Sequence, residues 1–377
     1  MWIKHNRTLL KKVLPLLAIL IIVGAAASGC YGRQQPKGWS GVTVAGDTLF
    51  VASIEGSLVA LNTADGTRLW PDSILGGSDS KVAVYGSPAV EGDLVYVAGY
   101  NGKVYAINSE SGALRWVYPR EGNLEPIVGA PVVSQGRIYF GDSDGKVYTL
   151  DAATGDKVGE LFQTGDKIWS TLVVDGDTLY VGSFDKKLYA LNTADGSQRW
   201  QFEVGGAIGS ALLVYNDTVY IGAFDGCFYA VNAADGSLRW QSEVAATSWF
   251  WAKPVVYNSV IYAPCLDGKV YLLDAETGRE VAGAVDLMSP ISSSPVVVDD
   301  EVIIASQEGK VYFLGTSDNR LGLLFDVGES GQEIFAPLSA SNGVVYIHAQ
   351  TQKEDILYAV EAETGDEAWR PVTLSSK

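Results

Sequence analysis

Histidine and methionine each occur only twice in this chain of 377 residues, and cysteine three times. His5 lies in the first dozen residues, so a histidine-built metal centre or a Ser-His-Asp relay has only His348 to draw on. Cys30, Cys227 and Cys265 are too few for a disulfide scaffold, and no two are close enough for a CxxC redox or zinc motif. Apolar residues spaced three and four apart, the mark of an amphipathic helix, are missing after residue 38. Positive charge is also short, with 27 Lys and Arg against 44 Asp and Glu and a net charge of −17. Four of those basic residues, Lys4, Arg7, Lys11 and Lys12, precede residue 13. The remaining surface repels nucleic acid and anionic headgroups and would suit a basic partner.

What the chain does have is glycine (42), tyrosine (19) and 47% hydrophobic residues. That mixture suits many short strands joined by tight turns. The length alone would suggest two or three domains, but a closed all-β ring can take up a whole chain of this size.

The basic residues 1–12 and the apolar stretch 13–28 have the layout of a secretory signal, and the stretch is short for a membrane span of about 20 residues. Ala27-Ser28-Gly29-Cys30 resembles a bacterial lipobox, with Ala27 where Leu is commoner. The resemblance implies cleavage before Cys30 and acylation of its thiol and new amino group. The expected organisation is a signal peptide at 1–29, a flexible polar tether at 30–38 and a single domain at 39–377. Such a chain would be exported and lipid-anchored to an envelope membrane. Tyr31, where an Asp would hint at inner-membrane retention, points to an outer membrane facing the periplasm where one exists, and otherwise to the outer face of the cytoplasmic membrane.

Eight copies of one motif follow, among them GKVYAINSESGALRW (102–116), KKLYALNTADGSQRW (186–200) and GCFYAVNAADGSLRW (226–240). The turn glycine falls at Gly66, Gly112, Gly155, Gly196, Gly236, Gly278 and Gly365, with Asn319 in the seventh copy, in steps of 40 to 46 residues. Each copy parses into four strands. In the third they are 131–135, 137–143, 146–152 and 157–162, with Asp144-Gly145 as a two-residue hairpin turn. Four-stranded units of this length predict an eight-bladed β-propeller of antiparallel blades with no helix after the leader. The segment 369–374 is expected to complete a sheet with strands of 42–61 and so close the ring.

The run Asp-x-x-Thr-Gly-x-x-x-Trp resembles the PQQ-type repeat, shared by quinoprotein dehydrogenases and by BamB-like lipoprotein propellers of outer-membrane β-barrel assembly. The resemblance covers about 39–370. It implies that Trp70, Trp116, Trp200, Trp240 and Trp369 dock blade on blade, and that Gly159 and Ala282, which replace the Trp, leave looser interfaces. The dehydrogenases add an Asp base, a Ca²⁺ site, commonly a vicinal Cys-Cys pair, and long insertions. This chain has no adjacent cysteines, and its uniform copies leave no room for insertions. The expectation is a non-catalytic chain with no cofactor and no metal.

At the approach to each first strand, a ring of equivalent positions reads Trp39, Tyr85, Val128, Trp169, Ile208, Trp251, Ser292 and Ile334, three residues before Val42, Pro88, Pro131, Leu172, Ala211, Pro254, Pro295 and Pro337. These would crowd one mouth of the central channel, joined by Trp249 and Phe250. Trp39, Tyr85, Trp169, Trp249, Phe250 and Trp251 are the candidate partner-binding residues, because tryptophans outside the docking position make natural interface anchors. The expected function is a monomeric scaffold for a protein partner, such as an envelope assembly protein. The alternatives are a ligand- or glycan-binding sensor using the same mouth and, less favoured, a PQQ-dependent dehydrogenase. Cys227 and Cys265 fall in neighbouring blades, and their pairing is left open. The anchor carries its own test: Cys30→Ser should move the chain from the detergent-extracted membrane fraction to the soluble fraction, and unchanged membrane association would refute lipidation at Cys30.

Overall fold

The computed structural model describes residues 36–77, 81–159 and 162–375. The expected leader, Cys30 and the tether up to residue 35 lie outside the described residues.

Each repeat folds into one antiparallel sheet whose four strands follow chain order. The eight blades occupy 43–74, 89–118, 132–163, 173–203, 213–241, 255–286, 296–326 and 339–373. Among the described residues the only helical element is a single 3₁₀ turn, Gly328–Ser330. The short second-to-third-strand hairpins need a left-handed residue at their tip. Gly145 supplies it in blade 3 at φ 80°, and in blade 4 Lys186 takes φ 71° where blades 1, 2, 5, 6 and 7 have glycine; blade 8 turns through the longer segment 351–354, which has none.

The outer strands differ for reasons visible in the chain. Blades 2, 4, 5, 6 and 7 have full ones, such as Gln198–Glu203. In blades 1 and 8 the docking Trp is followed at once or after one residue by a proline, Pro71 and Pro371. Proline cannot donate to the ladder, and only Ser73–Ile74 and Val372–Thr373 pair beyond it. In blade 3 the expected strand 157–162 reduces to a bridge at Lys157 and the pair Phe162–Gln163, because Gly159 turns to φ 76° between them.

A blade has two apolar faces and cannot bury both alone. The core is accordingly divided into eight clusters, each between adjacent blades. Leu58, Trp70 and Val84 join Val95 and Ile107 between blades 1 and 2, and Leu49, Val59, Tyr346 and Trp369 do the same between 8 and 1.

Five of these interfaces share one device. Trp70, Trp116, Trp200, Trp240 and Trp369 lay their rings against the turn glycines Gly112, Gly155, Gly236, Gly278 and Gly66 of the next blade. A methyl group on Gly155 would stand 2.6 Å from the Trp116 ring, so the glycine is needed for space as well as for its φ of 70°. Each indole N–H also donates to a carbonyl of that turn, as Trp116 does to Ala152 at 3.0 Å. Three of the acceptors take a second bond from a tyrosine: Tyr96 on Ala152, Tyr180 on Ala233 and Tyr220 on Ala275. Both lone pairs of those carbonyls are thus used by the preceding blade.

Among the described residues the ring does not close by a shared sheet, contrary to expectation. Val372–Thr373 pairs with the third strand of its own blade, and blade 1 has its own outer strand. Residues 43–74 already complete a four-stranded blade and Val372–Thr373 completes blade 8, so neither sheet needs a strand from the other and side chains close the seam. Trp369 docks on Gly66, and Arg68 donates to the carbonyls of Thr373 and Leu374 at 2.9 and 3.1 Å. Deeper, His348 Nδ1 donates to the Ser40 carbonyl at 2.7 Å, while Nε2 faces Asp355 Oδ2 at 3.2 Å. Asp355 also accepts from the Ile54 and Ser375 amides and the Ser375 hydroxyl, so one buried carboxylate ties blade 1 to blade 8.

Burial pushes the Asp355 carboxyl up, but the His348 contact and the hydrogen bonds from Ser375 and Ile54 outweigh it and hold it below the ordinary value. A depressed carboxyl stabilises the fold above its unfolded pKa of about 3.9, and that stability is lost as pH falls through the folded value. Melting curves should therefore show Asp355→Asn well below wild type at pH 6, by about 3 kcal/mol. The gap should begin to shrink below pH ~4 and narrow further as pH falls through the folded value; a gap unchanged at pH 2 would refute the seam's electrostatic origin. Trp116→Ala should cost about 3–5 kcal/mol in denaturant unfolding, whereas a loss under 1 kcal/mol would show that the indole dock is dispensable.

Candidate functional site

The propeller frame brings eight lead-in segments to one end of the axis. In seven blades the hairpin tip donates a backbone N–H to the lead-in of the same blade: Tyr100 to Ala83, Ser143 to Pro126, Phe184 to Lys167, Phe224 to Ala207, Leu266 to Trp249, Gln307 to Pro290 and Gln350 to Glu333. The residue two positions after each acceptor faces the channel. The mouth ring is therefore Trp39, Tyr85, Val128, Trp169, Gly209, Trp251, Ser292 and Phe335, and all eight line one cavity of about 390 Å³. Six match the sequence alignment, and two are shifted by one residue. Ile208 and Ile334, expected in the ring, are fully buried between blades, with Gly209 and Phe335 in their places. The spacing in the sequence sets Ala211 and Pro337 at the Pro position of the repeat. The strand register puts Leu212 and Leu338 there instead, since Leu213 pairs with Tyr220 and Ser339 with Tyr346.

Five of the eight ring residues are aromatic. Trp39 stands edge-on to Tyr85 at 4.5 Å and lies 5.7 Å from Phe335, while Tyr85 meets Tyr100 at 5.5 Å. Trp39 and Tyr85 are buried at 8% and 5% exposure, so they form the wall of the mouth more than its surface. Trp169 and Trp251 are half-buried across the channel. Phe250 does not join them. At 2% exposure it packs on Phe228 and Tyr271 between blades 5 and 6, where Ile168 and Ile208 sit in their blades. Consecutive residues at the head of a strand point opposite ways, which separates Phe250 from its neighbours.

Trp249 and Trp251 instead extend an aromatic belt across blades 4 to 6. Trp169 contacts Phe184 at 4.8 Å, Phe184 contacts Phe224 at 5.4 Å, and Phe224 stacks on Trp249 at 4.3 Å and on Trp251 at 5.9 Å. All five rings are half-buried. The Lys167 ammonium lies 5.0 Å from the Trp169 ring and 5.2 Å from Phe184. Phe184 and Phe224 were missed in the sequence because they sit in hairpins. Aligning the residue before each hairpin Asp or Asn would have found them, since that position reads Tyr100, Phe184, Phe224 and Leu266 in blades 2, 4, 5 and 6.

One layer deeper the channel reads Gly41, Ser87, Ala130, Thr171, Ala211, Lys253, Ser294 and Pro337. Seven are small or proline, and only Lys253 is charged. Of the residues lining the cavity, none is a carboxylate. A hard divalent cation, which takes carboxylate and carbonyl oxygens, does not fit this lining. Among the described residues no group of three His, Cys, Asp or Glu gathers to hold a metal. Cys227 and Cys265 are free thiols; burial pushes the Cys265 thiol up, and its Sγ lies 3.4 Å from the Trp249 carbonyl.

The profile of the family described as outer membrane protein assembly factor BamB matches residues 26–172 and 163–371. No curated protein matches the sequence. Among solved structures, BamB from Moraxella catarrhalis has a TM-score of 0.68 at 17% identity, covering 83% of this chain and 94% of that one. A computationally designed protein, Ika8, has a TM-score of 0.70 at 17% identity, covering 83% and 93%. The quinohemoprotein alcohol dehydrogenase ADHIIG from Pseudomonas putida HK5 has a TM-score of 0.67 at 15% identity, covering 85% and 70%. At these identities the structural likenesses speak for the fold alone.

The mouth's packing predicts an asymmetry between neighbours. Phe250→Ala should lower stability by about 3–5 kcal/mol, while Trp249→Ala, on the half-buried belt, should cost less than about 1.5 kcal/mol. Equal losses in denaturant unfolding would contradict this division of core and surface.

Proposed function

Because this chain belongs to the family of outer membrane protein assembly factor BamB, we propose that it is a non-catalytic, lipid-anchored scaffold that receives a protein partner on the aromatic face of blades 4 to 6. The observation that carries this reading is the stack Trp169, Phe184, Phe224, Trp249 and Trp251. Five contiguous, half-buried rings on a rigid frame give a partner large contact area at little cost in side-chain freedom, which is the make-up of an interface hot spot. Lys167 beside two of them supplies a polar edge.

The anchor gives this face an orientation. Trp39 belongs to the mouth ring, so the tether leaves the propeller beside the mouth. Eight residues from Cys30 to Gly38 reach at most about 28 Å. A chain acylated at Cys30 would hold the Trp39 side of the mouth within that distance of the membrane, where a membrane-embedded partner presents its own exposed segments. The partner that fits is an envelope assembly protein, in the outer membrane where the cell has one.

The non-catalytic reading is supported by the channel. The quinohemoprotein neighbour shares the fold, but here the lining has one ammonium and no carboxylate for a Ca²⁺ site, and the chain has no adjacent cysteines.

Chemical crosslinking in native membranes, read by mass spectrometry, tests the scaffold. The wild type is expected to capture a β-barrel assembly protein, and the Trp249→Ala/Trp251→Ala double variant to lose more than about 90% of that capture. Undiminished capture by the variant would move the docking site off the belt. No crosslinked protein, together with saturable binding of a soluble glycan, would favour the sensor reading instead.

A further inference from the structure

Lys253 is out of place in its ring. The seven equivalent positions carry Gly, Ala, Ser, Thr or Pro, which leave the channel open, whereas Lys253 sends a four-carbon stem and an ammonium into it. Its backbone is held by the Ser294 hydroxyl, which accepts from the Lys253 amide at 3.0 Å. The ammonium itself has no hydrogen-bond or ion-pair partner among the described residues. The side chain is exposed to the channel solvent, and the protein around the channel lowers the lysine below its ordinary value by desolvation.

A second observation comes from the collar above it. The Tyr85 hydroxyl and the Ser292 hydroxyl are buried, at 5% and 7% exposure, and neither finds a hydrogen-bond partner. Both belong to the mouth ring and line the same cavity as Lys253. Buried polar groups are ordinarily paired, and an orphan in a native cavity calls for an explanation. An unpaired cation and two orphaned hydroxyls around one cavity of about 390 Å³ have the composition of a site for a single anionic group on an apolar body. The rest of the molecule, at net charge −17, would repel such a group, so the attraction is local to the channel.

We propose that the channel holds a carboxylate of the protein partner, an Asp or Glu side chain beside apolar residues, with Lys253 as its counter-ion and the aromatic collar around the flanking side chains. This deepens the scaffold reading and rests on it. The belt and the channel mouth share Trp169 and Trp251, so a segment lying across Phe224 and Trp249 is already at the opening. The belt supplies area, and Lys253 supplies the selection for acidic over neutral or basic segments.

The test uses the full chain in detergent and two probe peptides, acetyl-Phe-Leu-Glu-amide and its neutral isostere acetyl-Phe-Leu-Gln-amide, titrated at low salt against the intrinsic tryptophan fluorescence. The Glu peptide is expected to bind at least ~5-fold more tightly than the Gln peptide. Lys253→Met should abolish that preference, and Lys253→Arg, which restores the charge, should keep it. Trp249→Ala should weaken both peptides alike. Equal affinities for the two peptides in the wild type, or a preference that survives in Lys253→Met, would overturn the proposal. So would the failure of either peptide to bind at millimolar concentration. If both peptides bind equally and both depend on Trp249, the carboxylate site fails while docking on the belt stands. If crosslinking also captures no protein, the scaffold itself fails.

Discussion

The structure depends on the way one blade ends and the next begins. A four-stranded sheet this small has two apolar faces and nothing of its own to cover them. The indole at the end of one blade, the bare glycine of the next turn and the carbonyl beside it solve three problems together. The ring fills space that any Cβ would block, the left-handed glycine makes the turn, and the N–H satisfies a carbonyl that would otherwise be buried unpaired. Where a tyrosine of the second strand takes the other lone pair, as Tyr96 does on Ala152, the interface is tied at two depths. Repetition of this contact lets a chain with few long-range polar ties close into a ring.

The exceptions show what the device replaces. After blade 7 there is no tryptophan, and Gly365 faces the backbone and side chain of Leu324. In the turn before it Asn319 adopts φ 54° in place of glycine, as asparagine tolerates better than most residues. The last interface keeps its tryptophan but lacks a long outer strand on either side, and there the buried His348–Asp355 pair and Arg68 supply the missing ties. Polar groups thus concentrate where strand pairing gives out.

A frame held at its blade interfaces leaves the axis free to vary. The mouth ring carries Trp, Tyr, Phe, Val, Gly and Ser at equivalent positions, and only on the side of Trp39, Tyr85, Val128 and Phe335 does it pack into a buried cluster of its own. The same freedom explains the outlying Lys253 and the asymmetric belt on blades 4 to 6. Phe250 marks the boundary of that freedom: one residue from two belt tryptophans, it belongs to the interblade core and behaves as Ile168 and Ile208 do.

The sequence by itself determined the number of blades, their order, the hairpin turns and the docking tryptophans, because each rests on contacts a few residues apart or on a spacing repeated eight times. It also contained the reasons for the short outer strands, in Pro71, Pro371 and Gly159. Tertiary structure alone decided the rest. The lead-ins are equally long in blades 2 to 8, but strand pairing puts Leu212 and Leu338 where Ala211 and Pro337 are expected, and one residue reverses the direction of a side chain, which is why Gly209 and Phe335 displaced Ile208 and Ile334. Phe184 and Phe224 meet the tryptophans only after their hairpins fold back onto their own lead-ins. The closing seam joins residues some three hundred positions apart, such as Ser40 with His348 and Ile54 with Asp355, and no local pattern in a chain encodes a contact of that range.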